Sequence, residues 1–295
     1  MAVQIYYFSG TGNCFAVARA IAVSVGTTPV SIPEVVNRPT ISTPAETVGI
    51  VFPAYFAALC GVPSIVDRFV RKLDGIRSKH LFAVCSCGGY EVVNAVPALK
   101  NLAKLVRSLG GRLFAEYSVR LPMNNLDYDH IPVPIERDSG VIIEKSKVAI
   151  ADICTRIVVR KPEKHRLVRS LVNFILIPVN ATVSKPCLKS LREMAEQPTD
   201  SHLGFRELIP LTDRSIVLDE NCIGCATCTR VCPVHNILMV NDKPEWQHRC
   251  EMCFACDEWC PQKAIHHWSR ANGVKYHHPA VRIEDMYTRG PKPEL

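Results

Sequence analysis

Apolar residues in the first part of the chain fall into short runs that alternate with longer segments of helical period. The short runs predict five strands, at residues 4–8, 28–32, 47–52, 81–85 and 113–119. The longer segments predict helices at residues 14–25, 63–73, 90–109 and 140–159. Pro97 is expected to kink or split the third of these helices. Strands that alternate with helices predict a parallel sheet covered on both faces.

The length of the chain predicts about two domains, because 295 residues exceed what one domain usually needs. Five strands within the first 160 residues match the size of an α/β flavodoxin-like doubly wound parallel sheet. We therefore expect a flavodoxin-like domain at residues 1–160, a basic and partly helical connector at 161–211, a cysteine-rich domain at 212–270 and a tail at 271–295.

The net charge of +7 is unevenly distributed. Residues 156–192 contain nine Lys or Arg and one acid, whereas residues 219–261 contain seven acids and three basic residues. The basic run predicts a solvated face; the alternative is a docking surface for an acidic partner, including the chain's own C-terminal domain. Nucleic acid is not an expected partner, because aromatic residues are not interleaved with the basic ones.

The connector also contains a segment of amphipathic character at residues 167–179. We expect a helix packed on one of the domains, with a helix resting on a membrane surface as the alternative. No transmembrane segment is expected, since the most apolar run, residues 171–183, is shorter than a span and contains Asn173, Pro178 and Asn180.

Fourteen cysteines are far more than an ordinary cytosolic enzyme of this size carries. Residues 1–8 predict a strand and lack the basic region, long apolar stretch and cleavage site of an export signal. Because disulfides belong to oxidising compartments, we expect a cytoplasmic protein whose cysteines serve another purpose.

Eight of these cysteines form an internal repeat with an offset of 28 residues. Both halves have the spacing C-x2-C-x2-C-x3-C-P, ending at Pro233 and at Pro261. Bacterial two-cluster ferredoxins have this spacing, and in them the fourth cysteine of each run ligates the other cluster. We therefore expect one 4Fe-4S cluster on Cys222, Cys225, Cys228 and Cys260, and a second on Cys250, Cys253, Cys256 and Cys232.

These clusters would lie in a small α+β two-cluster ferredoxin domain. Thiolates are soft anionic ligands that suit iron, and backbone N–H groups in such loops offset the negative charge of a cluster. The alternative is a pair of zinc sites or buried thiols, although zinc sites rarely need two four-cysteine runs of identical spacing.

A second motif lies between the first predicted strand and the first predicted helix. Its residues are Ser9, Gly10, Thr11, Gly12 and Asn13. Hydroxyls and backbone N–H groups at a helix N-terminus bind anions, and glycines let the backbone approach a phosphate closely. The alternative is a plain capping turn with Asn13 as the N-cap.

Residues 7–13 resemble the FMN-phosphate loop of flavodoxins, T/S-x-T-G-x-T/S. The last hydroxyl position holds Cys14, a weaker hydrogen-bond donor, so weaker FMN binding is expected. The resemblance implies that two more loops flank the flavin ring, made by Pro53, Ala54, Tyr55 and Phe56 and by Ser86, Cys87, Gly88, Gly89 and Tyr90. Tyr55, Phe56 and Tyr90 are candidates for stacking on the ring; alternatively they are half-buried loop aromatics.

From residue 4 to about residue 268 the chain resembles the flavodoxin–ferredoxin fusion proteins, sometimes called EFR-type ferrodoxins. The resemblance implies a cytoplasmic protein with FMN and two 4Fe-4S clusters that passes electrons to a redox partner protein or a small-molecule acceptor. Two alternatives remain: a flavin-dependent reductase of a small substrate fed by the clusters, and a ferredoxin with a flavin-free docking domain. Whether the protein is an enzyme stays open, because no Ser-His-Asp, H-E-x-x-H or G-x-G-x-x-G arrangement is present.

Overall fold

The computed structural model describes residues 2–57, 59–123, 138–161, 171, 174, 175, 177–267 and 275–289, with only the backbone given for 177–181 and 183. Two compact units are present. The first takes its described residues from Met1–Ser9, Asn13–Pro122 and Glu136–Ser184. The second takes them from Gly10–Gly12, Met123–Ile135 and Lys185–Leu295.

The first unit is built on a parallel sheet of five strands. They are β1 (Val3–Tyr7), β2 (Val30–Ser31), β3 (Thr47–Pro53), β4 (His80–Cys87) and β5 (Leu113–Arg120). Their order in the sheet is β2-β1-β3-β4-β5, the order of flavodoxin-like doubly wound folds. The predicted α/β parallel sheet is therefore confirmed.

Five helices accompany these strands. They are α1 (Asn13–Val25), α2 (Ile32–Val35), α3 (Ser64–Lys72), α4 (Glu91–Ser108) and α5 (Ser139–Val158). Apolar residues of α1 and α5 pack against one face of the sheet, where Ile21, Val51 and Tyr117 are buried in the same core cluster. β3 and β4 are buried along almost their whole length, which explains their nearly continuous apolar sequence.

Some element limits differ from the sequence-based prediction. β4 continues to Cys87, because Ser86 and Cys87 still pair with β5. α4 is continuous through Pro97, so the expected split does not occur. Asn13 is the first residue of α1, and its side-chain Nδ2 donates to the carbonyl oxygen of Pro122 at 3.0 Å. The second predicted strand is only two residues long, because the chain turns into α2 at Ile32.

Short elements make up the second unit. In chain order they are α6 (Ile177–Met194, whose last ten residues belong to this unit), α7 (Phe205–Leu208), a 3-10 helix (Ile209–Ser215), β6 (Ile216–Leu218), α8 (Thr227–Val231), β7 (Ile237–Val240), β8 (Lys243–Trp246), α9 (Ala255–Glu258), β9 (Ile265–His267) and a second 3-10 helix (Ile283–Met286). β6 pairs antiparallel with β9, and β7 pairs antiparallel with β8.

The 28-residue repeat is also a repeat of backbone conformation. Three pairs of residues at this offset have positive φ: Gly224 and Met252, Ala226 and Phe254, and His235 and Lys263. A short helix follows each middle member of these pairs, α8 after Ala226 and α9 after Phe254. The left-handed residues turn the chain around the cysteines, so the two cysteine runs adopt equivalent loops.

The connector is described only in part. Leu171, Phe174 and Ile175 are helical and exposed, and α6 begins at Ile177, whereas the rest of the amphipathic helix predicted at residues 167–179 lies outside the described residues. The C-terminal end of α6 is packed, with Leu191 and Met194 buried. No helix in the described ranges combines the length and the apolar character needed to cross a membrane.

Candidate functional site

Four cysteines from both repeats line one cavity of the second unit. They are Cys232, Cys250, Cys253 and Cys256, and the space between them has a volume of about 420 Å³, part of it open to solvent. Ile216, Trp246, Phe254 and His267 also line this cavity, below called the inner cavity.

The other four cysteines line a separate cavity of the same unit. Cys222, Cys225, Cys228 and Cys260 surround about 330 Å³, part of it also open to solvent, together with Met239, Pro244 and Ile265. Cys225 is exposed in this outer cavity, and its neighbour Ile223 is 67% exposed. Of the eight cysteines only Cys225 is exposed, so the outer cavity has the more exposed set, although Cys228 is buried there as Cys232 and Cys253 are in the inner cavity.

The fourth cysteine of each run lies in the cavity of the other run: Cys232 in the inner one and Cys260 in the outer one. The structure thus brings together the same two sets of four cysteines that the sequence predicts as ligand sets. Within the described residues, no group of three or more His, Cys, Asp or Glu side chains is arranged to hold a single metal ion.

Backbone N–H groups point at the sulfur atoms. The amide of Asn236 donates to Cys232 Sγ at 3.2 Å, and the equivalent amide of Ala264 donates to Cys260 Sγ at 3.4 Å. A third amide, of Met252, donates to Cys250 Sγ at 3.2 Å. Such donors stabilise negative charge on sulfur, so four thiols around each cavity fit a thiolate-ligated iron–sulfur cluster.

Burial strongly affects the thiols themselves. Desolvation raises the pKa of Cys228 and of Cys253 to about 12. It also raises the pKa of Cys250 and Cys256 well above the ordinary value. By contrast, the Thr227 side chain lowers the pKa of the exposed Cys225. Buried thiols stay protonated until a cation replaces the proton, so iron binding at these cavities must release protons.

A buried polar network supports the inner cavity from behind. Asp213, in the first 3-10 helix, accepts hydrogen bonds from Asn236 Nδ2 at 2.7 Å and from the backbone amide of His248 at 3.0 Å. His248 Nδ1 lies 2.7 Å from the other oxygen of Asp213. Asn236 Oδ1 accepts in turn from the amide of Arg249 at 2.6 Å. The network fixes the chain on both sides of the cysteines, at residue 236 and just before Cys250.

The predicted phosphate loop has its donor groups largely buried. Ser9 and Thr11 are buried, Gly12 has φ of +90°, and α1 begins directly afterwards at Asn13. Two hydroxyls and the amides at the N-terminus of a 13-residue helix form a donor set that suits a phosphate. The chemistry of the loop therefore fits the phosphate group of FMN.

Gly10–Gly12 belong to the second unit. They are held by one residue of the cysteine repeat and one that follows it. Trp259 Nε1 donates to the carbonyl oxygen of Gly10 at 3.0 Å. The backbone amide of His278 donates to the carbonyl oxygen of Thr11 at 2.9 Å. A Cβ atom added at Gly10 would collide with the carbonyl oxygen of Cys253. A glycine is therefore required at position 10 because the backbone of Cys253 lies too close for any side chain, independently of a ligand.

Cys14, at the position of the missing hydroxyl, points into the core of the first unit. Its Sγ lies 3.0 Å from Ser86 Oγ, and both residues are buried. Desolvation raises the pKa of Cys14 to about 12, which keeps this thiol neutral. The hydroxyl of Ser86, a predicted flavin-loop residue, is thus in contact with Cys14.

The other predicted flavin-loop residues lie at the carboxyl ends of β3 and β4. Pro53 ends β3, and the amide of Ala54 donates to the carbonyl of Ser86 at 2.8 Å. The Tyr55 ring meets Phe8 edge-on at 6.2 Å, and Phe56 has φ of +46°. Cys87 ends β4, Gly88 and Gly89 follow it, and Tyr90 is the partly exposed N-cap of α4. In doubly wound sheets, ligands bind at this edge.

Sequence reasoning did not identify Trp246, Asp213 or Trp259. Trp246 lines the inner cavity, Asp213 anchors the network behind it, and Trp259 holds Gly10. Only the position of Trp246, shortly before the second cysteine run, was a usable signal. The other two act on residues far away along the chain, so no local spacing reveals them.

Comparison with known proteins identifies the second unit in coarse terms. Residues 209–265 match the family model of a 4Fe-4S dicluster domain. This match covers one segment and not the whole chain. No curated protein matches the chain.

Solved structures similar to the chain cover about half of it. The two-electron reduced flavodoxin of Megasphaera elsdenii has 21% identity over 40% of this chain and 85% of that chain, with a TM-score of 0.30. The Trp repressor binding protein of Bacillus subtilis has 11% identity over 52% of this chain and 96% of that chain, with a TM-score of 0.36. The azoreductase of Bacillus anthracis has 12% identity over 53% and 100%, also with a TM-score of 0.36.

The chain therefore joins a sheet of flavodoxin-like strand order to a ferredoxin-type 4Fe-4S segment. This confirms the predicted combination of a flavodoxin-like part with a ferredoxin-type part. Iron–sulfur segments of this kind serve electron transfer, which is the function of this chain in its coarsest form.

Proposed function

We propose that the protein carries two 4Fe-4S clusters and one FMN and passes electrons between them and on to a redox partner. The observation that carries this proposal is the pair of cavities, each lined by four cysteines from both halves of the repeat. When bound, FMN supplies two-electron chemistry and each cluster supplies one-electron chemistry, so a two-electron event can be divided into single steps.

The protein's part is to hold and separate these groups. In this proposal the cysteines of the inner and outer cavities anchor the clusters, and the amides of Asn236, Met252 and Ala264 stabilise charge on the sulfur atoms. Apolar side chains such as Ile216 and Ile265 exclude water from the two cavities. The exposure of Cys225 and Ile223 makes the outer cavity the side on which a partner is expected to exchange electrons.

For FMN, the proposal uses the loop of Ser9 to Asn13 as the phosphate site. Hydroxyls of Ser9 and Thr11 and the amides that begin α1 would bind the phosphate. Tyr55 and Tyr90, at the carboxyl ends of β3 and β4, would flank the ring. Gly10 of this loop packs on the backbone of Cys253, a predicted ligand of the inner cavity.

One alternative retains a specific observation in its favour: a ferredoxin whose flavodoxin-like part holds no flavin and serves as a docking domain. Gly10 and Thr11 are engaged by Trp259 and His278, and Cys14 replaces a hydroxyl that flavodoxins use. Flavin content separates the two functions.

The proposal includes the domain limits expected from the sequence, at residues 1–160, 161–211, 212–270 and 271–295, and a cytoplasmic location. Cell fractionation of the tagged full chain tests the location. Recovery of the iron-loaded protein with the membrane or periplasmic fraction would contradict it.

The test is anaerobic purification followed by iron, sulfide and FMN determination on one sample. The proposal expects about eight iron and eight sulfide per chain, as two 4Fe-4S clusters require, and about one FMN. Ser9→Ala and Thr11→Val should lower the FMN content without lowering iron. Ser24→Ala, in the last turns of α1 where its hydroxyl donates to the carbonyl of Ile21, is the matched control and should change neither. Full iron with no flavin after reconstitution would favour the docking alternative, and about four iron or fewer would contradict the two-cluster proposal.

A further inference from the structure

Trp246 is the last residue of β8 and lines the inner cavity together with Cys232, Cys250, Cys253 and Cys256. It pairs with Ile237 of β7 and packs against the small apolar core that contains Cys232. Its indole Nε1 is buried, and no hydrogen-bond acceptor for it exists among the residues that the structure describes. A buried N–H without an acceptor is costly, and buried tryptophans usually have a partner for this group.

The repeat shows what stands at the equivalent place in the other half. Trp246 pairs with Ile237, and 28 residues away from each of them Leu218 pairs with Ile265 in the same antiparallel manner. Leu218 therefore occupies the position of Trp246, and a leucine side chain carries no N–H. The two halves have identical cysteine spacing, but the indole donor of Trp246 has no counterpart at Leu218.

The backbone donors at the two exchanged cysteines are equivalent. Asn236 and Ala264 are equivalent residues, and their amides donate to Cys232 and Cys260 at 3.2 Å and 3.4 Å. Both cavities thus receive a similar backbone bond at the exchanged cysteine. An indole N–H at the inner cavity would add a donor that the repeat does not supply to the outer one.

We propose that Trp246 donates its indole N–H to a sulfur atom of the cluster held by Cys232, Cys250, Cys253 and Cys256, and thereby raises the reduction potential of that cluster above the value it would otherwise have. This inference rests on the proposed function. Reduction adds one electron to the cluster, breaks no bond and moves no proton, so the negative charge on the sulfur atoms increases. A hydrogen bond to sulfur is therefore stronger in the reduced state, and it favours reduction. Trp246 is a positioning residue that makes the two clusters unequal.

Two replacements test the inference in the full iron-loaded chain. Trp246→Phe removes the N–H with some loss of ring size. Incorporation of benzothienylalanine at position 246 replaces the N–H by sulfur and keeps the two-ring shape. Leu218→Phe is the matched control, because it changes apolar bulk at the equivalent position without removing a donor. Each protein is first assayed for iron and then titrated reductively, with both clusters followed by electron paramagnetic resonance.

We expect both replacements at position 246 to make reduction of one cluster roughly threefold to tenfold less favourable, where tenfold corresponds to 59 mV for one electron. Leu218→Phe should leave the potential of that cluster unchanged. After exchange into deuterated buffer, pulsed resonance of the reduced wild type should show an exchangeable deuteron coupled to that cluster, and this coupling should weaken in both replacements.

Unchanged potentials and an unchanged deuteron coupling in the benzothienylalanine protein with full iron would overturn the inference. If Trp246→Phe loads iron poorly, the benzothienylalanine protein alone decides. A wild-type protein that never binds two clusters would instead defeat the proposed function, and the iron assay on the wild type shows this before any replacement is made.

Discussion

The side-chain amide of Asn236 donates a hydrogen bond of 2.7 Å to Oδ2 of Asp213, a carboxylate that is almost completely buried. The backbone amide of Asn236 donates to Cys232 Sγ. The first 3-10 helix is thereby joined to the end of the first cysteine run, and a single carboxylate determines the position of an amide that faces sulfur.

Asp213→Asn should therefore destabilise the second unit. It replaces one acceptor oxygen by a donor, which then faces either His248 Nδ1 or both Asn236 Nδ2 and the His248 amide. An unpaired buried group costs about 1–3 kcal/mol. Chemical denaturation followed by loss of cluster absorbance measures the effect. Glu245→Gln, the same change at an exposed position, is the control and should cost less than about 0.5 kcal/mol. Equal stability of the two variants would contradict the assigned role of Asp213.

Gly10→Ala tests the close approach of backbone at the loop. The added Cβ would collide with the carbonyl oxygen of Cys253, and a backbone atom cannot move away as a flexible side chain does. We expect the free energy of unfolding to fall by about 1–3 kcal/mol and iron to be released faster on dilution into chelator. Gly204→Ala is the control, because φ is −84° there and the nearest atom, at 3.5 Å, is a side-chain oxygen of Glu207. Iron release at the wild-type rate from Gly10→Ala would show that the loop can move away from Cys253.

Lys275 is buried against Asp257, with exposed side-chain fractions of 8% and 2%, and also donates to the carbonyl of Ile265 at 2.7 Å. Lys275→Met removes the cation paired with the buried Asp257 carboxylate and should lower the free energy of unfolding by about 3–5 kcal/mol. Lys275→Met combined with Asp257→Asn removes both charges and should recover a large part of that loss. Lys189→Met is the control: its ion pair with Glu193 is exposed and 3.8 Å long, so the expected cost is below about 1 kcal/mol. A double variant as unstable as Lys275→Met alone would exclude charge burial as the cause.

Cys14 should make the stability of the first unit fall at high pH. Its pKa is about 12 in the folded protein, against an ordinary value of 9.0. Between these values the unfolded chain loses the thiol proton while the folded chain keeps it. The free energy of unfolding should therefore be unaffected by this thiol below pH 9 and fall between pH 9 and 12, by up to about 1.4 kcal/mol per pH unit.

Cys14→Ser removes that titration and should reduce the slope by up to the same amount, measured by chemical denaturation followed by far-ultraviolet circular dichroism. Ser86→Ala is the control, because it removes the partner at 3.0 Å but retains the thiol and its slope. Identical slopes for Cys14→Ser and the wild type would mean that the thiol ionises in the folded chain as easily as in the unfolded one.

Much of the first unit is predictable from the sequence, because its signals are local. Alternation of strands and helices predicts the five-stranded parallel sheet, and β3, β5, α1 and α5 begin and end within one residue of the expected limits. The limit of β4 depends on pairing with β5, which a single segment cannot reveal. At Pro97 the helix is not split, and Ala95, Ala98 and Leu102 on both sides of the proline are buried.

The cysteine cavities show both the strength and the limit of sequence reasoning. The spacing predicts which four cysteines meet in each cavity once it is matched to the two-cluster ferredoxin pattern, in which the fourth cysteine of each run joins the other set. Asp213 and Trp259 could not be identified in the same way. Each acts on a residue brought close only by the fold: Asp213 on Asn236, and Trp259 on Gly10, which lies 249 positions away.

The exchange of Cys232 and Cys260 between cavities has a consequence for how this part of the molecule is built up and lost. Neither run of four cysteines lines a cavity by itself, since the last cysteine of each run lies in the cavity of the other. If the two cavities hold the proposed clusters, we expect assembly to be all-or-none, with few half-loaded chains. Oxidative loss of one proposed cluster would then free a cysteine of the opposite run. Because each cavity needs cysteines from both runs, we expect that replacing one run by that of another protein would disturb both cavities.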